Sequence, residues 1–331
     1  MRALRPVVLL GTVASLVVPS TAQAFRDRVI RSAPRAAASA AAAHTAAYAT
    51  AGGATLSVTF AAGARPDRTL AQSYVDFLGR LPHGSELGSL RLRIVPKAAV
   101  VSQCGGATGT LACYEYGNST MTVPASGLGG SSYGLSTGYV LAHEYGHHIA
   151  KERDNSPFPA IEYGPRYWSS YESVCTRTMA GRLAPGDEGD SYLYNPGEAW
   201  ADTYAHLVYP HEGWQFTDLL HPDAGAYAAA RRDVLHPWQR AVSRTFSGPD
   251  ARFTLRLDGP LSVQARGPRS ARFRLVLRSD GKTQATKTSS GGVATISYGA
   301  ACRANRAEAV TATVTPIAGE PATSIRVSYA G

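Results

Sequence analysis

His143-Glu144-Tyr145-Gly146-His147 sets two imidazoles four residues apart, with a carboxylate beside the first. On an α-helix positions i and i+4 share a face, so both rings can reach one metal ion. Glu144 stands about 100° further round and can hold a water on that metal instead of ligating it. This H-E-x-x-H spacing is that of zinc hydrolases, whose chemistry is the activation of water for attack on a carbonyl.

A catalytic zinc needs three protein ligands and an open fourth position. The metzincin pattern, with a histidine six residues after the second motif histidine and an intervening glycine, is excluded, because Arg153 and Ala150 stand there. The better third ligand is Glu198, 51 residues after His147, in Asn195-Pro196-Gly197-Glu198-Ala199-Trp200-Ala201-Asp202. Asp202, one helical turn on, is placed to hydrogen-bond a ligand histidine and fix its tautomer. Glu198 also suits a capping box, with Asn195 as cap and Pro196 at the first helical position. Capping leaves Asp202 unexplained, so the ligand role is the expectation. His148 lies off the shared face and is expected to pack. An oxyanion would need a further donor. Tyr192, Tyr194 and His206 are candidates, each also readable as a core or solvent-facing residue. Met121-Thr122-Val123 could pair with an extended peptide as an edge strand.

These groups need a scaffold. Leu56/Val58/Phe60 and Leu90/Leu92/Ile94 alternate with polar or small residues, as strands do. Asp67 can cap a helix with Leu70, Tyr74, Phe77, Leu78 and Leu81 as its apolar stripe. Residues 111–116 and 120–123 flank Gly117-Asn118-Ser119, a hairpin pattern. Ser136 or Thr137 should cap the helix of the two histidines, and the stretch to His236 reads as helical and aromatic. Beyond Ser247-Gly248-Pro249-Asp250 short period-2 runs such as Phe273/Leu275/Leu277 and Ile325/Val327/Tyr329 alternate with Gly-, Pro- and Ser-rich turns, the pattern of a small β-sandwich. Arg272, Arg274 and Arg278 stand opposite the apolar residues of their run and read as a solvated outer face, or as a contact for an anionic polymer.

Arg2, Arg5, the apolar run Val7–Val18 and Ala22-Gln23-Ala24 form a signal-peptide pattern over residues 1–24, so a secreted, extracellular protein is expected. Residues 25–53 are Ala-rich and read as a leader or propeptide. No stretch is long and apolar enough to span a membrane. The net charge of +9 rests almost wholly on arginine and reads as coding bias. No basic run is interleaved with aromatics, so no nucleic-acid partner is expected. Four cysteines in an exported chain imply disulfides. The Gly-rich stretch between Cys104 and Cys113 can close a local loop, leaving Cys175 for Cys302.

His143-Glu144-x-x-His147 followed by Glu198-x-x-x-Asp202 resembles the gluzincins, the thermolysin-like metallopeptidases, and the flanking wording is similar to exported actinobacterial proteins. The resemblance spans about Thr120 to Asp202. It implies His143, His147 and Glu198 as Zn2+ ligands, Glu144 as general base and Asp202 as their support. The expected architecture is α+β: a zincin-like catalytic domain over 54–246, followed by a small all-β sandwich domain over 251–331. The expected function is that of a secreted zinc endopeptidase acting on protein or peptide substrates, with possible cell-wall contact through the sandwich. The alternatives are a zinc amidase or peptidase for cell-wall peptides, and a secreted binding protein with a structural zinc.

Overall fold

A computed structural model of the protein describes residues 29–30, 43–106, 108–155, 158–239, 242–256, 259–279, 281–300, 307–318 and 324–329. Residues 1–24, read above as a signal peptide, and Cys302 lie outside these residues. The architecture is α+β, with two large hydrophobic cores.

The first core lies on a six-stranded sheet of β1 (Val29–Ile30), β2 (His44–Ala49), β3 (Thr55–Phe60), β4 (Arg91–Val95), β5 (Cys113–Glu115) and β6 (Thr120–Pro124), in the order β1-β5-β6-β4-β3-β2. β3, β4 and β6 run parallel, β2 is antiparallel to β3, and β5 is antiparallel to β6 but parallel to β1. The alternation in β3 and β4 buries Leu56, Val58, Phe60, Leu92 and Ile94. Between them runs α1 (Arg68–Arg80), whose N-cap Asp67 accepts from the Leu70 N–H at 3.0 Å. Such a cap contributes about 1 kcal/mol.

α2 (Val100–Cys104) ends at Gly105, in the left-handed region at φ 61°. Its Cys104 is bonded to Cys113 as expected. Cys175 is also disulfide-bonded. After β6, Tyr133 (φ 52°) and Gly134 (φ 85°) turn a hairpin of β7 (Ser131–Ser132) and β8 (Leu135–Ser136). The chain then enters α3 (Thr137–Lys151), capped by Ser136, which accepts from the Tyr139 N–H at 3.1 Å. Next come α4 (Ala160–Tyr163), α5 (Arg166–Tyr171), α6 (Val174–Met179), α7 (Pro196–His206) and α8 (Ala224–Leu235).

The second core lies between two four-stranded antiparallel sheets. Their strands are β9 (Val242–Ser247), β10 (Asp250–Arg256), β11 (Gly259–Arg266), β12 (Arg272–Ser279), β13 (Lys282–Thr288), β14 (Val293–Ala300), β15 (Ala307–Ala318) and β16 (Ser324–Tyr329). They order as β10-β15-β12-β13 and β14-β11-β16-β9. Phe273, Leu275, Leu277, Val263, Val314 and Ile325 fill the space between them.

Three expectations are corrected. His44–Ala49, inside the stretch read as a leader, pairs along its whole length with β3. Its alanines and threonine gave no apolar alternation. Met121 and Thr122 are not on an edge, because β6 pairs with β4 on one side and β5 on the other. The sandwich starts earlier than residue 251, since β9 pairs with β16 from Val242↔Tyr329 to Ser247↔Ser324.

Asp233 on α8 ties the helical layer together by accepting from the Tyr167 and Trp168 N–H groups at the start of α5, at 3.0 and 2.8 Å. Burial pushes its carboxyl up to about 7, although both N–H groups lower it. A carboxyl raised in the folded state favours folding most when protonated. Its contribution is therefore present below the unfolded value near 4 and is lost as pH rises towards 7. Thermal melts of wild type and Asp233→Asn should show a stability difference that changes across this window and is flat above about pH 8. A difference independent of pH would count against the assignment.

Candidate metal centre

α3 and α7 carry the site, and a glycine lets them meet. A Cβ added at Gly146 would lie 2.8 Å from Ala201 Cα, so the helix backbones are in contact there. Trp200 Nε1 donates to the Gly146 carbonyl at 2.9 Å and locks the crossing. The two helices thus present His143 and His147 from one side and Glu198 from the other. One ligand atom from each lies within 4.8 Å of the others, and all three side chains are fully buried.

The distances fit a shared cation. His143 Nε2 and His147 Nε2 each lie 3.3 Å from Glu198 Oε2. Ligand atoms about 2.0–2.1 Å from a tetrahedral zinc stand roughly 3.3 Å apart. His143 Nδ1 faces Asp202 Oδ1 at 3.4 Å. With its proton on that side, the ring turns a lone pair on Nε2 toward an already electron-rich carboxylate. A divalent cation between them converts that repulsion into coordination. Two imidazoles and a carboxylate form the N/O set that zinc takes in catalytic sites.

Helix capping releases Glu198 for this role. Asn195 caps α7 through its side chain, which accepts from the Gly197 N–H at 3.0 Å, while its own N–H donates to the Tyr192 carbonyl. The reciprocal half of the capping box is absent, so the carboxylate is turned inward. Glu144, between the two histidines, is equally buried but lies outside the ligand group.

Around these residues stands a polar and aromatic support. Tyr139, one turn before His143, donates to Asp202. Burial first, and then the adjacent carboxylate, hold its phenol far above the ordinary range, so it remains a donor. Tyr192 donates to Glu198 Oε2 at 3.2 Å. Phe216 stacks on His143, with ring centroids 6.3 Å apart, and also meets Tyr192 at 5.5 Å.

The three candidate oxyanion donors therefore separate. Tyr192 is buried beside Glu198, whereas Tyr194 is 49% exposed. Both ring nitrogens of His206 lie at backbone carbonyls, those of Asp202 at 2.8 Å and Glu212 at 3.0 Å. His148 packs as expected, bonded to Tyr114 Oη and the Glu86 carbonyl. Arg153, where a metzincin would place its histidine, forms a buried ion pair with Glu86 at 2.9 Å. Tyr139 was legible in principle, since it precedes His143 by four residues on one helix. Phe216 lies in a loop, where no periodicity marks it.

No protein-family model matches the chain, and no curated protein matches it. Solved structures similar to it include the CBM36-1 domain of a multidomain xylanase from the hindgut metagenome of Trinervitermes trinervoides, at 18% identity over 26% of this chain and 77% of that domain, with a TM-score of 0.18.

Two variants test the centre. Asp202→Asn should weaken divalent-metal affinity about 10–100-fold, read by competition against a chromophoric chelator. Gly146→Ala should cost about 1–3 kcal/mol in denaturant unfolding and also weaken metal binding, because the added methyl forces α3 and α7 apart. Unchanged metal affinity in both would refute the geometry.

Proposed function

We propose that this chain is a zinc-dependent peptide hydrolase with a zincin-like core of the gluzincin type. One observation carries the reading: His143, His147 and Glu198 converge while Glu144, on the same helix and in the same dry interior, stays outside the ligand set. A purely structural zinc has no use for that carboxylate.

Bound there, zinc supplies an acidified water and a Lewis-acid contact for the scissile carbonyl. Glu144 takes the water's proton and returns it to the departing amine. Asp202, held by Tyr139, keeps the His143 tautomer that leaves Nε2 free to ligate. Tyr192 shares the Glu198 carboxylate and keeps it from swinging. A cavity of about 230 Å³ lies beside the N-terminal half of α3, about two turns from Glu144 and His147 and lined by none of the four site residues. Its walls include Val100, Leu111, Leu135, Thr137 and Val140. Thr137 and Val140 precede Glu144 and His147 by seven residues and so continue their stripe along α3.

Purified protein should hold about one zinc per chain, and prolonged chelation should abolish cleavage of a peptide library. Glu144→Gln should retain the zinc and lose about 10²–10⁴-fold in kcat. Activity in metal-free protein would end the proposal. Release of muropeptides without cleavage of casein would move the substrate to cell-wall peptides.

A second reading is a secreted binding protein with a structural metal, and the complete burial of all four side chains favours it. It predicts that zinc loss lowers the melting temperature while no library peptide is cut by wild type.

A further inference from the structure

The positive charge of this chain is not spread evenly. Residues 242–331 hold 13 of the 33 Lys and Arg but only 5 of the 24 Asp and Glu, a net +8 of the chain's +9. A coding bias toward arginine would enrich both halves. Instead residues 25–241 carry 18 basic against 19 acidic groups and are close to neutral.

The sandwich concentrates part of this charge on one face. Phe273, Leu275 and Leu277 point into the core, so the alternation leaves Arg272, Arg274 and Arg278 exposed on the outside of β12. Pairing extends the face sideways. Arg252 of β10 is paired with Thr311 of β15, and Thr311 with Arg278, so two arginines flank one threonine in a single row. Arg274 stands in a parallel row between Thr315 and Thr288. Along β12, Arg272 and Arg274 are about 6.8 Å apart, and Arg252 and Arg278 are separated by two strand spacings, about 9.5 Å. β12 and β13 contain no acid, and the sheet's strands hold only Asp250 and Glu308. Among the described residues no ion pair includes any of the four arginines.

The chemistry of the face selects a ligand. Guanidinium forks match phosphate and carboxylate oxygens alike in bidentate fashion, and a phosphodiester offers its charge on a flexible linear backbone that can follow the rows, with threonine hydroxyls donating to the same oxygens. The aromatic side chains of these strands, Phe253 and Phe273, are both buried in the core. The face therefore lacks the platform on which bases of a single strand stack.

We propose that the outer face of the β10-β15-β12-β13 sheet binds a linear polyol- or sugar-phosphate polymer, with Arg252, Arg272, Arg274 and Arg278 gripping successive phosphodiesters. The site is independent of the metal centre and stands whether or not the chain hydrolyses peptides.

The test uses the full chain and four probes: poly(glycerol phosphate), polygalacturonate, oligo(dT) and neutral xylan. Poly(glycerol phosphate) should bind at 50 mM NaCl, and its affinity should fall steeply with salt. The double variant Arg274→Gln/Arg278→Gln should lose at least 10-fold in affinity, with a shallower salt slope and a melting temperature within about 2 °C of wild type. Arg274→Lys, which keeps the charge but not the fork, should keep the salt slope of wild type and lose less affinity than the double variant. Arg244→Gln/Arg326→Gln, on the exposed residues of the other sheet, should bind as wild type. No binding of poly(glycerol phosphate), equal loss from both double variants, or equally tight binding of polygalacturonate or oligo(dT) would each overturn the proposal.

Discussion

The meeting of two imidazoles and a carboxylate in a dry interior is the constraint on which this structure turns. His143, His147 and Glu198 bring two imidazole nitrogens within 3.3 Å of one carboxylate oxygen, with no side-chain exposure to water. A dry cluster of this kind concentrates polar groups where water cannot screen them, and a cation between the three would be held strongly. A metal bound there would couple its own affinity to the stability of this core. The contact of α3 with α7 at Gly146 and Ala201 is built around that meeting point.

The helices do not hold this arrangement alone. On the far side of α3, His148 is fixed between Tyr114 and the Glu86 carbonyl. Glu86 in turn accepts from Tyr145, Gly84 and Arg153. Burial alone would raise the Glu86 carboxyl, but the Gly84 N–H and the Arg153 guanidinium hold it below its ordinary value. Removing one partner of such a buried pair typically costs about 3–5 kcal/mol. One face of α3 thus presents the candidate metal ligands while another anchors the helix to the chain before β4. The polar residues of the two faces have separate jobs, although all sit within one fifteen-residue helix.

The convergence of His143, His147 and Glu198 was legible because helical periodicity and residue type point the same way. Two histidines at i, i+4 need no tertiary knowledge to share a face, and Glu198 with Asp202 repeats the logic on a second helix. β3, β4, α1 and the hairpin of β5 and β6 were legible for the same reason, since their apolar residues follow the period of the element. β2 was missed because His44–Ala49 is mostly alanine and gains its strand character from pairing with β3. β13, Lys282–Thr288, is an edge strand with little to bury, so it shows no alternation. Tyr192 and Phe216 touch the site from a short 3₁₀ turn and a loop, where position is set by contacts distant in sequence. Charge segregation between the two cores was visible in the sequence but shows only when the halves are counted separately.

Total enclosure of the donor cluster has a mechanical consequence. The aromatic wall of Tyr192 and Phe216 belongs to two irregular stretches laced together by the Thr217 N–H to Leu193 carbonyl bond. If the centre turns over a polymer chain, that wall must swing aside in every cycle, and the pace of swinging rather than of bond-making can limit throughput. A metal ion entering the cluster would have to pass the same enclosure. Conditions that loosen these loops would then hasten turnover and cofactor leakage together.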